Sequence, residues 1–145
     1  MPQNNIKHIL LVGFTVFAPI CFGQSVYLKC DGFANRSTIM GDKSSIPFST
    51  TIELDESRKL IDISSLFEIA PGIAAPYQEV LFGKEKITFA SKINTPGDFL
   101  SINGEINRYT EGVTIDYTNI NQNKAGMMIS IKTLLNCKIA SVRKF

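Results

Sequence analysis

Three cysteines and one histidine hold most of the nucleophilic, metal-binding and proton-transfer potential of this 145-residue chain. His8 and Cys21 fall within the first 23 residues, and Cys30 and Cys137 beyond them. Residues 24–145 therefore lack histidine. That removes Ser-His-Asp and Cys-His catalysis in their usual form and takes away the commonest metal ligand. If Cys30 and Cys137 are bridged, no thiolate is left for attack or for zinc. Neither a Gly-x-x-x-x-Gly-Lys-Ser/Thr loop nor a Gly-x-Gly-x-x-Gly turn occurs, so phosphate cradles are absent. Carboxylates remain. Glu53/Asp55, Glu105/Glu111 and Asp62/Glu68 could flank a glycosidic bond, but turn and strand-face positions make solvated surface charge their expected role. Asp42-Lys-Ser-Ser lacks the alternating oxygens and distal Glu of a calcium loop. Asn35-Arg-Ser37 is a glycosylation sequon only in a eukaryotic host. No catalytic, cofactor-binding or metal residue is expected.

The N-terminal segment explains where the first two reactive residues go. Lys7 precedes fourteen uncharged residues, Ile9 to Phe22, interrupted by Pro19. A membrane-spanning helix needs about 20 apolar residues. A basic start, a short apolar centre and small residues behind it predict a secretory signal peptide over 1–23, cleaved after Gly23 or shortly beyond. Ala18-Pro19-Ile20 fits lipidation at Cys21 poorly. A buried strand is the alternative, though fourteen uncharged residues are long for one. Residues 24–145 then form a periplasmic or extracellular domain with no membrane span. It carries 14 basic against 13 acidic residues once Lys7 is gone. This excess, and the formal +2 of the whole chain, are too small to imply a nucleic-acid partner, and none is expected.

Two cysteines in an exported domain have one possible pairing. A Cys30–Cys137 bridge closes a loop of about 107 residues, worth on the order of 4–5 kcal/mol in the chain-entropy model. Two free buried thiols are the alternative. A bridge requires the first and last strands to be neighbours, or to face each other across the core.

The elements that must position these residues read as strands. Val26, Leu28 and Cys30 alternate with Tyr27, Lys29 and Asp31. Phe48–Leu54 and Leu60–Ile63 flank the charged turn Asp55–Lys59 as a hairpin. Lys86–Ile93 places Ile87, Phe89 and Ile93 on one face. Asn94–Asp98 reads as a turn and Phe99–Asn107 as the next strand. Val113, Ile115 and Tyr117 alternate with Thr114, Asp116 and Thr118. Asn119–Gly126 reads as a loop, and Met127, Ile129 and Ile131 open a last strand. No eleven-residue window keeps a helical period. The sequence predicts an all-β domain, an antiparallel sandwich or small barrel of about seven or eight strands. In Ala70–Tyr77, a loop with two prolines and a glycine, Ile73 and Tyr77 are either anchored on the core or presented to a partner.

Tyr27-Leu-Lys-Cys-Asp-Gly32, Ile106-Asn-Arg-Tyr-Thr-Glu-Gly-Val-Thr-Ile115, Asn136-Cys-Lys and the terminal Arg143-Lys-Phe145 together resemble a group of small exported bacterial β-proteins. That group carries an Ile-Asn-Arg-x-Thr-Gly hairpin ahead of a late cysteine. The resemblance implies export and an antiparallel fold, and supplies no activity. Here Glu111 stands before Gly112, which alters the turn. Tyr27-x-x-Cys30 and Asn136-Cys137 are also similar to periplasmic inhibitors of c-type lysozyme, without that family's Ser-Gly-x-x-Tyr loop.

Asn107 and Thr110 side chains suit local turn bonds, with Gly112 free to take positive φ. Arg108 could pin the hairpin through Glu105. Arg108 and Tyr109 are also residue types enriched at interface hot spots. The expected function is a non-enzymatic macromolecule-binding, inhibitor or immunity-type protein with a protein partner. The competing readings are a small apolar ligand binder with a barrel cavity and a carboxylate-based hydrolase.

Overall fold

The computed structural model describes residues 24–123 and 127–144, the side chains of Arg143 and Lys144 excepted. The expected signal peptide, with Lys7 and Cys21, lies outside the described residues. Eight strands form one antiparallel sheet: β1 Gln24–Thr38, β2 Lys43–Asp55, β3 Leu60–Ile63, β4 Glu79–Phe82, β5 Lys86–Thr95, β6 Asp98–Asn107, β7 Gly112–Asn121 and β8 Met127–Lys144. A single helical turn, α1 Leu66–Ile69, lies between β3 and β4. It is too short to leave a periodic signal, and it buries Leu66 and Ile69.

Sheet order is β3-β2-β1-β8-β7-β6-β5-β4, and the sheet curls into a nearly closed barrel. Around the barrel the chain runs as a meander, β4 through β8 and then β1 through β3. All pairings but one are local hairpins. The exception is β1 with β8, where the two ends of the chain meet in the middle of the sheet. The gap falls between β3 and β4, which are consecutive in sequence and are joined by residues 64–78.

That connection is stitched to both sides of the gap. Ser64 donates from its N–H and its hydroxyl to the Thr51 carbonyl on β2, at 3.1 and 2.8 Å. At the other end, the Gln78 side-chain amide imitates a strand residue. Its Oε1 accepts from the Lys92 N–H and its Nε2 donates to the Lys92 carbonyl, both at 2.8 Å. Tyr117 donates to the Pro71 carbonyl at 2.9 Å, so the connection folds inward over β7. Ile73 and Tyr77 are core residues at 4% and 7% exposure. Of the two roles open to them, the structure assigns anchoring; neither is presented at the surface.

Inside the barrel, alternation delivers Ile52, Ile102, Ile115 and Tyr117 to full burial. Gly104 faces Phe89 across β5 and β6, and a Cβ there would run into the Phe89 ring. The missing side chain lets the ring lie flat over the strand, where Tyr77 stacks on it at 4.7 Å. Several sequence boundaries shift; β2 begins at Lys43 rather than Phe48, its ladder to β1 running on. β7 continues through Asn119–Asn121, because three more ladder pairs to β8 outweigh the turn preference of asparagine. The Asn94–Asp98 turn contracts to Pro96-Gly97, with Gly97 at φ 95° and Thr95 already paired to Asp98.

Cys30 and Cys137 are register partners on β1 and β8, with Cα atoms 4.0 Å apart and sulfurs at bonding distance. The Cys137 N–H donates to the Glu111 carbonyl on the β7 side. Its ladder groups therefore point away from β1, and the cysteines form a non-hydrogen-bonded pair, where cross-strand side chains come closest. Among the described residues no helix is long and apolar enough to cross a membrane.

Candidate functional site

The two ends of the barrel differ. One end carries the β1–β2, β5–β6 and β7–β8 turns, and the 64–78 connection packs inward beneath it. The other carries the β2–β3, β4–β5 and β6–β7 turns and is open. There a cleft of about 580 Å³ is walled by Val26, Leu28, Leu54, Phe82, Ile87, Ile106 and Ile139. These are inward-facing residues from β1, β2, β4, β5, β6 and β8, all near the same end of their strands. Its rim is polar, with Gln24, Glu56, Ser57, Asn107, Arg108 and Glu111.

A bulge helps to hold the mouth open. Tyr27 pairs with Ser141 and Leu28 with Ile139, which leaves Ala140 without a partner on β1. Bulges bend a strand and increase its twist, and they recur at barrel rims. Ile139 is 59% exposed beside this bulge, although it lies on the face that is buried at Cys137 and Leu135.

Two turns build the rim. In the β6–β7 turn, Asn107 Oδ1 accepts from the N–H groups of Tyr109 and Thr110, both at 2.9 Å. Thr110 Oγ1 accepts from the Gly112 N–H at 3.3 Å. Glu111, not Gly112, takes positive φ at 56°. The turn closes one residue earlier than the glycine suggested, because Gly112 is already the first residue of β7. The Arg108 N–H donates to the Glu85 carbonyl at 2.9 Å, tying this turn to the β4–β5 turn. Its guanidinium reaches Glu56 at 3.3 Å across the mouth. Glu105, the expected partner of Arg108, pairs instead with Lys86 at 2.8 Å, its neighbour on the outer face of β5. Tyr109 is 75% exposed at the tip beside the mouth.

In the β2–β3 turn, Asp55 is 2% exposed and fully engaged. Its Oδ1 accepts from the Ser57 hydroxyl at 2.6 Å and the Arg58 N–H at 2.9 Å; Oδ2 accepts from Arg58 Nε at 2.6 Å. Ser25 donates to Glu53 at 2.8 Å, and Arg58 reaches Glu53 at 3.0 Å. The Ser57 hydroxyl above all, then the Arg58 N–H and guanidinium, hold the Asp55 carboxyl well below the usual carboxylate range, against the opposing effect of burial. Elsewhere, burial and the nearby Asp62 raise the Tyr77 hydroxyl above its ordinary value.

Of the four recognition candidates, Arg108 and Tyr109 lie at the mouth, and Ile73 and Tyr77 are in the core. The apolar wall was missed by sequence reasoning. Only the register shows that Leu28, Leu54, Ile87 and Ile106 come level with one another; singly, each is an ordinary inward strand residue. Among the described residues no group of three His, Cys, Asp or Glu side chains is placed to hold a metal ion.

Fold and cleft together define a small antiparallel barrel with one apolar mouth under a polar rim. Comparison with protein-family models, with curated proteins and with solved structures finds no match.

Proposed function

We propose that this is an exported, non-enzymatic binding domain whose open barrel mouth takes a small apolar molecule. The cleft carries the reading. Ligand sites are concave, mostly apolar, about 300–1,000 Å³ in volume, and oriented by a few polar groups. The mouth has that size, seven apolar walls and a rim bearing Arg108, Glu56 and Glu111. The cysteine bridge supports export, since oxidising compartments permit it. The hydrolase reading has less support. A general acid needs a desolvated carboxyl with a raised pKa; Glu56 on the rim is 66% exposed, and Asp55 is shifted downward.

A macromolecular partner is the second reading, favoured by Tyr109 standing exposed next to Arg108 at the mouth. It also draws on an outer-face patch where Phe33 opposes both Pro47 and Leu134, with Phe33 56% and Leu134 49% exposed.

A neutral fluorescent probe such as N-phenyl-1-naphthylamine separates the two. Wild type should bind it with enhanced emission. Ile139→Asp, at an exposed position on the wall, should bind about tenfold more weakly with an unchanged melting temperature, because it places a charge in the apolar mouth. A wild-type chain that leaves the probe in water, or a variant that binds it equally, overturns the ligand reading.

A further inference from the structure

The end of the barrel opposite the mouth has an unusual surface. The β1–β2 turn projects Ile39 and Met40 into solvent at 68% and 86% exposure. The turn is well made. Thr38 and Gly41 exchange backbone bonds with Asp42 and Thr38 at 3.0 Å, and Gly41 sits at φ 87°. The Ile39 N–H donates to the Met128 carbonyl at 3.2 Å, so the tip lies against the start of β8. There Met127 and Met128 are 47% and 36% exposed. Four exposed apolar residues, Ile39, Met40, Met127 and Met128, thus lie at this end on ordered backbone.

Directly behind it lies a recess of about 430 Å³ lined by Arg36, Lys43 and Lys132, with Ser37, Ser44 and Ser45. None of the three cations makes an ion pair or side-chain hydrogen bond among the described residues. Acids lie towards this end too, Glu68 of the 64–78 connection among them. Asp42 is in the turn itself, Asp98 starts β6, and Asp116 is the register partner of Lys132. None comes within ion-pair distance of Arg36, Lys43 or Lys132.

We propose that this end docks on an anionic phospholipid bilayer. Ile39 and Met40 enter the boundary between headgroups and acyl chains, and Arg36, Lys43 and Lys132 meet the lipid phosphates. An apolar tip with unpaired cations three or four residues behind it is the arrangement that interfacial binding requires. A tip of Ile and Met, without an exposed Trp or Tyr, suits a protein partner poorly. Docking here leaves the barrel mouth facing away from the membrane, so the proposal is independent of the ligand reading.

The test is flotation of the purified protein, in the length found in its native compartment, with two kinds of vesicle. One is phosphatidylcholine alone; the other is two parts phosphatidylcholine to one of phosphatidylglycerol. Binding to the anionic vesicles only, weakened by added salt, is expected. K43Q/K132Q should lower partitioning by roughly fivefold per residue removed. I39S/M40S should abolish flotation, with melting temperatures unchanged in both variants. No binding to anionic vesicles overturns the proposal. So does binding undiminished in both variants, which would place the contact in another segment such as residues 9–22. A dimer in solution that I39S/M40S dissolves overturns it too, since the tip would then be a self-contact.

Discussion

At the scale of single residues, Asp55 shows how a charge is buried without being stranded. Each of its oxygens has a short donor, and those donors come from its own turn. Because the folded state lowers its pKa below the unfolded value, its contribution is fully present above the unfolded carboxylate pKa of about 3.9. It is lost as the pH falls from there toward the folded value. The melting temperature should therefore hold from neutrality down to about pH 4 and drop below it. Asp55→Asn should remove part of that acid dependence and cost roughly 1.5–3 kcal/mol at neutral pH, the range for hydrogen bonds to a charged group. Parallel pH-dependent melts of the two proteins check it. Equal acid slopes would assign the acid transition to other carboxylates.

At the scale of elements, the β5–β6 pair depends on an absence. Phe89 fills the space a side chain at position 104 would take, and Tyr77 from the 64–78 connection closes over it. Gly104→Ala forces the ring, and with it Tyr77, out of place. Overpacking of this kind costs about 1–3 kcal/mol. Adding Phe89→Leu to Gly104→Ala should recover part of the loss, which chemical denaturation of the single and double variants measures. A second element-scale device is the free edge of β2. β3 covers only Ile52–Asp55, so on the side away from β1 Lys43–Ser49 has no strand beside it among the described residues. The ladder parity set by the cysteine pair turns Pro47 nitrogen toward that edge. Proline supplies no N–H there, which interrupts the row of donors an incoming strand would need.

At the scale of the molecule, the disulfide closes the one non-local seam. Every other strand pair is a hairpin that forms from neighbouring sequence, whereas β1 and β8 must meet from opposite ends of the chain. Bridging Cys30 to Cys137, a separation of 107 residues, constrains the unfolded chain most where the fold needs it. Cys30→Ser with Cys137→Ser should lower stability by on the order of 4–5 kcal/mol, or about 10 °C or more in melting temperature. Intact mass after alkylation without reductant checks the bond itself. Two alkylated cysteines in protein from its native compartment would show it is not formed there.

The sequence by itself determined seven of the eight strands, because a two-residue period is a local property of inward and outward side chains; β4, Glu79–Phe82, was not among them. It also named Cys137 as the one partner open to Cys30 within residues 24–145, with free thiols as the alternative, and determined the turn chemistry of Asn107, which rests on residue types at fixed spacing. It left sandwich and barrel open, because alternation gives each strand's faces without saying which strands share an edge. It allowed positive φ at Gly112 and gave Arg108 a carboxylate partner such as Glu105 without singling out Glu56, since both depend on where β7 begins and on which turn lies opposite. Tertiary structure alone decided these points. It curled the sheet until Arg108 reached Glu56, drew Ile73 and Tyr77 into the gap between β3 and β4, and left the other end open. The apolar mouth exists only because inward residues from six strands come level at that end, and register between distant strands is not written in any one of them.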